Sequence, residues 1–225
     1  LQKKWSELIK PSKMEVNIEE SNGKKGVLTA EPLERGFGLT LGNAIRRILL
    51  SSLQGAAITS VKIKGVVHEF TTIPGVKEDL TDILLNLKTI AVKVHSPGLK
   101  KMYLKSNGSG ELRAGNFETD SETEIMNPDQ LIMTLDSNAD VEIEANIETG
   151  KGYVSAEVAE DENKIIGEIK LDAMFSPVIK TSYKVENSRV GQVTDYDKLI
   201  FEVETNGVIS PDDAIALAAR ILQDQ

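Results

Sequence analysis

Three stretches of the chain repeat apolar residues at helical spacing, and much of the remainder alternates apolar with polar positions. Leu41, Ala44, Ile45, Ile48 and Leu49 fall in one stripe spanning roughly 140° of a helix circumference, which predicts a helix with Thr40 as its N-cap. In residues 75–88, Val76, Leu80, Ile83, Leu84 and Leu87 recur at i, i+4, i+7, i+8 and i+11 and predict a second helix. A third opens at Ser210-Pro-Asp-Asp213, with Ser at the N-cap, Pro at N1 and Asp in the first turn. Its apolar arc runs through Ala214, Ile215, Leu217, Ala218, Ile221 and Leu222. Near the start, Leu1, Trp5, Leu8 and Ile9 share a helical face that Pro11 stops.

Strands are predicted around residues 16–19 and 26–30, joined at Asn22-Gly23, a strong hairpin signal. Others follow at 57–64, 68–70, 91–95, 182–185 and 199–204. Gly65 marks the turn after the strand at 57–64, and residues 96–163 read as β-dominated, with turns at Asn107-Gly108 and Gly150-Lys-Gly152 and an acidic loop at 160–163. Val141, Ile143, Ala145 and Ile147 alternate with mainly acidic neighbours, which marks a half-buried strand. Few helices among many short strands give an α+β class built on antiparallel sheet.

Composition acts mainly by exclusion. A length of 225 residues, 40% hydrophobic and 27% charged, is ordinary usage for a chain that buries a core. No apolar stretch is long enough for a bilayer, and the first residues lack a signal-peptide pattern. The absence of cysteine excludes disulfides, thiolate metal sites and cysteine nucleophiles, and points to a reducing, cytoplasmic setting. His68 and His95 are too few for a histidine metal cluster. A net charge of -9 and 4% aromatic residues argue against direct nucleic-acid binding, which needs clustered cations and stacking platforms.

The candidate chemistry gathers around Gly36, Gly38 and Gly42, just before the first helix. A dinucleotide loop needs Gly-x-Gly-x-x-Gly in a parallel βαβ unit, and a P-loop ends in Gly-Lys-Ser/Thr, whereas Asn43 follows Gly42. The phosphate signal is weak; glycines that let two backbones pack closely account for more residues. Asn43, Arg46 and Arg47 lie opposite the apolar stripe, and Leu50 falls among them. Leu50 is either one more exposed leucine or an anchor with an arginine rim for a partner protein. The terminal helix likewise fits an ordinary core or a symmetric helix-on-helix dimer. Glu69, Glu78 and Asp79 read as solvated or capping carboxylates, and Ser51-Ser52 has no nearby histidine. Asp195-Tyr-Asp197 reads as a solvated turn in preference to a magnesium site. No catalytic, cofactor or metal residue is assigned. The rival class is a homodimeric enzyme with a phosphate ligand at residues 36–42.

The segment Pro32-Leu-Glu-Arg-Gly-Phe-Gly-Leu-Thr-Leu-Gly-Asn-Ala-Ile-Arg-Arg-Ile-Leu-Leu-Ser-Ser52 closely resembles the bacterial RNA polymerase alpha subunit family. The match continues through Gly75-Val-Lys-Glu-Asp79, Leu85-Asn-Leu-Lys88, Gly150-Lys-Gly-Tyr-Val154, Ser176-Pro-Val178, Asn187-Ser-Arg-Val190, Thr194-Asp-Tyr-Asp-Lys-Leu199 and Glu204-Thr-Asn-Gly207. It spans nearly the whole chain and is thinnest at residues 96–140. The resemblance implies an N-terminal domain in two parts. Residues 1–54 and 173–225 would form a dimerisation part, and 55–172 an inserted β-rich lobe that contacts the large subunits. It implies a homodimer through Leu41, Ile45, Ile48 and Leu49 of the first helix and Ile215, Ala218, Ile221 and Leu222 of the last. That dimer would recruit the beta and beta-prime subunits, which carry catalysis. Arg47, Leu50, Lys88 and, less directly, Arg189 match the family's assembly positions. The family's C-terminal DNA- and activator-binding domain is expected to lie outside this sequence, with the last helix cut at Gln225. The chain itself would hold no cofactor and bind neither DNA nor membrane.

Overall fold

A computed structural model of the protein describes residues 9–19, 23–66, 70–156, 167–190 and 193–225. Residues 1–8 of the predicted first helical face, Asn22 of the hairpin, His68 and Glu69 of the short strand and the acidic loop at 160–163 lie outside these residues.

Two compact units divide the chain, Leu1–Leu53 with Pro177–Gln225, and Gln54–Ser176. The first unit opens with β1 (Lys13–Ile18), β2 (Lys25–Leu33) and α1 (Phe37–Ser51). The second holds β3 (Gln54–Ile63), α2 (Leu80–Lys88), β4 (Val92–Val94), β5 (Lys100–Asn107), β6 (Gly110–Arg113), β7 (Thr123–Ile125), β8 (Leu131–Leu135), β9 (Asp140–Lys151), β10 (Tyr153–Val154), β11 (Glu168–Lys170) and β12 (Ala173–Met174). The chain then returns to the first unit with β13 (Val178–Val190), β14 (Val193–Thr205) and α3 (Pro211–Asp224). The class is α+β on mostly antiparallel sheet, as the patterns predict.

In the first unit the sheet order is β1-β2-β14-β13, antiparallel throughout. Leu28 stands opposite Phe201 and Ala30 opposite Leu199, so alternate residues of the two central strands line one buried face. The helices cover that face: Ile45 and Leu49 from α1 and Ala214, Ile215 and Ala218 from α3 join Leu28, Phe201 and Val203 in one core. Ser210 caps α3 as predicted, its Oγ accepting from Asp213 N at 3.4 Å. Both β13 and β14 run well beyond their predicted lengths.

In the second unit a sheet ordered β5-β9-β3-β4-β7, with β11 added beside β3, packs against α2. The alternation at Val141, Ile143, Ala145 and Ile147 is buried as predicted. Leu80, Ile83, Leu84 and Leu87 are buried from α2, each contributing about 1.5–3 kcal/mol. This helix begins at Leu80, not at Gly75. Gly75 takes a left-handed φ of 79°, Val76 bridges to Leu135, and Lys77 N–H donates to Thr134 O at 3.1 Å. Strand-like pairing therefore claims residues 75–77 before the helix can extend back over them. Gly150 is likewise a strand residue and not a turn, and its missing side chain makes room for the ring of Phe175, 2.7 Å from where a Cβ would stand.

Candidate protein-binding face on the first helix

The helix α1 starts three residues ahead of the predicted Thr40 cap, and the reason lies far away in sequence. Its N-cap is Gly36, at a left-handed φ of 86° that suits glycine. The cap acceptor is Asp197 on β14, whose Oδ2 takes the N–H of Gly36 at 2.9 Å and of Gly38 at 3.0 Å. Thr40 donates its hydroxyl to Gly36 O at 3.1 Å, serving the turn from within. Asp197 is thus inside a strand, where a solvated turn was expected, and neighbouring Asp195 pairs with exposed Arg35 at 3.1 Å. The two amides that would cradle a phosphate already hold a carboxylate of the same chain. This overturns the phosphate-loop alternative at its first step.

The other glycines set the depth of the helix on the sheet. A Cβ on Gly38 would stand 2.8 Å from Val185 Cγ1, and one on Gly42 2.5 Å from the Tyr183 ring. Tyr183 rests in turn on Phe201, with ring centroids 5.7 Å apart and planes at 40°. Close approach of helix and strand β13 requires both glycines.

Seated this way, α1 buries Gly38, Gly42, Ile45 and Leu49, a run at i, i+4, i+7 and i+11. About 100° round the helix from that run lies a stripe of Leu39, 61% exposed, Asn43, half-buried Arg46 and Leu50, 38% exposed, while exposed Arg47 faces directly away from the buried run. There is no acidic residue anywhere in α1. The guanidinium groups of Arg46 and Arg47 have no hydrogen bond or ion pair to another described residue. Leu39, Thr40, Asn43, Ala44 and Arg47 line a groove of about 660 Å³ with Tyr183.

The apolar positions expected at a self-interface separate into two groups. Ile45, Leu49, Ile215 and Ala218 are buried in the unit's own core, while Leu41, Ile48, Ile221 and Leu222 are half-buried at its rim. Leu217, read as part of the apolar arc, is 49% exposed, and Phe37 is 46% exposed. Arg47 and Leu50 share α1, and exposed Arg189 stands near the end of β13 in the same unit. Lys88 belongs to the second unit, at the last turn of α2, with its Nζ 3.2 Å from Asp172 Oδ2. Asp172 Oδ1 also accepts Ala156 N–H at 3.0 Å. The Ala156 amide and then the Lys88 ammonium hold the Asp172 carboxyl below the usual aspartate range.

The remaining candidates are structural. Glu78 accepts Thr134 N–H at 2.7 Å and its hydroxyl at 2.8 Å. Ser51 donates to Arg47 O at 2.7 Å. Asp79 occupies the N-cap of α2 without a side-chain bond. Among the described residues no group of three His, Asp or Glu side chains could hold a metal, and no helix is long and apolar enough to cross a membrane. Sequence reasoning missed Phe37 and Leu39 as helical, and Asp197 as the cap. The buried period through Gly38 and Gly42 was the available signal for the first two, once glycine is admitted as a packing residue.

A family model described as the RNA polymerase Rpb3/RpoA insert domain matches residues 61–176. That span covers more than half of the chain and falls within the second unit. The chain therefore belongs to the RNA polymerase Rpb3/RpoA insert-domain family, and with it to the subunits of DNA-directed RNA polymerase.

Proposed function

We propose that this chain is the N-terminal domain of a bacterial RNA polymerase alpha subunit, a cytoplasmic, non-catalytic assembly scaffold that homodimerises and recruits the beta and beta-prime subunits. One observation carries the reading: on a chain of net charge -9, α1 presents two arginines without ion-pair partners among the described residues, set between exposed Leu39 and Leu50. An apolar anchor with an arginine rim is the composition that protein interfaces favour, and both guanidiniums are free to meet carboxylates of a partner.

In this reading residues 1–54 and 173–225 form the dimerisation part and 55–172 the inserted lobe that meets the large subunits. Leu41, Ile48, Ile221 and Leu222 keep surface beyond their own core and supply the contact between copies, joined by Phe37 and Leu217. Arg47 and Leu50 hold the beta subunit, with Lys88 and Arg189 as further large-subunit contacts. The test is co-purification of the Arg47→Ala variant with the beta subunit. The homodimer stays folded and dimeric by light scattering, and capture weakens by about 2 kcal/mol or more, roughly thirtyfold, as for an interfacial arginine hot spot. An unchanged yield of assembled complex would sink the claim.

A further inference from the structure

β13 is an edge strand. It hydrogen-bonds to β14 on one side, and no described strand pairs with it on the other. It is also long, at 13 residues, so it offers a row of outward backbone donors and acceptors. Natural edges of this length are guarded against indiscriminate pairing, and β13 carries exposed Lys180 and Lys184 in that position. The groove under α1 begins at the same strand, because Tyr183 is both its wall and the residue that seats Gly42.

These features fit one kind of occupant. An extended segment pairing with β13 would send alternate side chains to the α1 side of the sheet, where Leu39, Asn43 and Arg47 stand over Tyr183. The unpaired guanidinium of Arg47 asks for a carboxylate there, and Lys180 and Lys184 favour the same sign along the edge. A helix laid in the groove would satisfy Arg47 but would leave the backbone edge of β13 unused.

Resting on the scaffold reading above, we infer that the large subunit docks by strand addition: an extended segment of the beta subunit, bearing acidic and apolar residues in alternation, adds to β13 and fills the α1 groove. Main-chain bonds then supply affinity, and the Arg47 and Leu39 pockets supply selection.

Hydrogen exchange at single-amide resolution on the purified chain, alone and bound to purified beta subunit, tests this. Expected is protection with a two-residue period across residues 180–188, alternate amides slowing by about tenfold or more while those already donating to β14 change little. If the complex forms and α1 is protected while the β13 amides are unchanged, strand addition is overturned and the scaffold reading stands. Periodic protection already present in the free chain and rising with its concentration would assign the edge to a second copy, and overturns the inference. If no complex forms, the scaffold reading fails and takes this inference with it.

Discussion

Replacing Asp197 with alanine removes one oxygen that serves two amides of α1, at 2.9 Å from Gly36 N and 3.0 Å from Gly38 N. An N-cap acceptor contributes about 1 kcal/mol, within a range of roughly 0.5–2. Negative charge at a helix N-terminus adds about 0.3–1 kcal/mol. Water can take over at exposed Gly36, but Gly38 is buried and water reaches its freed N–H poorly, so most of the loss stands. The Asp197→Ala variant should therefore open the start of α1 more easily by about 1–2.5 kcal/mol. At tenfold per 1.4 kcal/mol, exchange of the first-turn amides should quicken by about 5- to 60-fold. Asp197→Asn keeps an acceptor but not the charge, and should lose less than half as much. Native-state hydrogen exchange reads this directly, with the amides of β9 in the second unit as internal control. Identical exchange at Gly36 and Gly38 in variant and parent would refute the cap; equal acceleration in β9 would show general destabilisation instead.

Other substitutions probe the same surfaces by independent routes. Gly42→Ala sets a methyl 2.5 Å from the Tyr183 ring, where overpacking of about 1–3 kcal/mol outweighs roughly 1 kcal/mol of improved helix propensity, so the melting temperature should fall. At Gly36 a Cβ meets open space but φ is 86°, so Gly36→Ala should cost about 1 kcal/mol from backbone strain alone. Leu50→Ala removes a side chain in a 38% exposed position, so denaturation should move by no more than about 0.5 kcal/mol while beta-subunit capture weakens. Asp172 has a depressed folded-state pKa, so the stability it lends is complete above the unfolded aspartate value of about 3.9 and is lost as pH falls through the lower folded value. Exchange at Ala156 should quicken over that acid window in the parent chain, and Asp172→Asn should flatten the dependence.

What the sequence made legible was whatever rests on local periodicity. The α3 cap at Ser210, the alternation of β9 and the apolar face of α2 are each written in neighbouring residues and stand in the structure as read. The errors share a different cause, a partner distant in the chain. Thr40 looked like a cap because Asp197 lies beyond any local window, and Gly75 looked helical because Leu135 and Thr134 claim its successors. Gly150 looked like a turn until Phe175 occupied the space it leaves. On the candidate face, Arg46, Arg47 and Leu50 were visible as residues out of step with the stripe. Leu39 was not, since the assigned cap had placed it before the helix.

The pairing of β2 with β14 also sets a timetable. Gly36 and the carboxylate that caps it are 161 residues apart, with the whole second unit made between them. At about 5–20 residues per second, a ribosome leaves α1 without its seat for roughly 8–30 seconds after Gly36 is synthesised. The continuous unit Gln54–Ser176 has all its internal partners before Asp197 is made. A nascent chain broken off between Ser176 and Val193 would carry that unit intact yet lack β14 and Asp197, and so lack the cap that fixes the start of α1. On the scaffold reading proposed above, the α1 face is complete only once translation has run through both β13 and β14, so its presence reports that the sheet has closed.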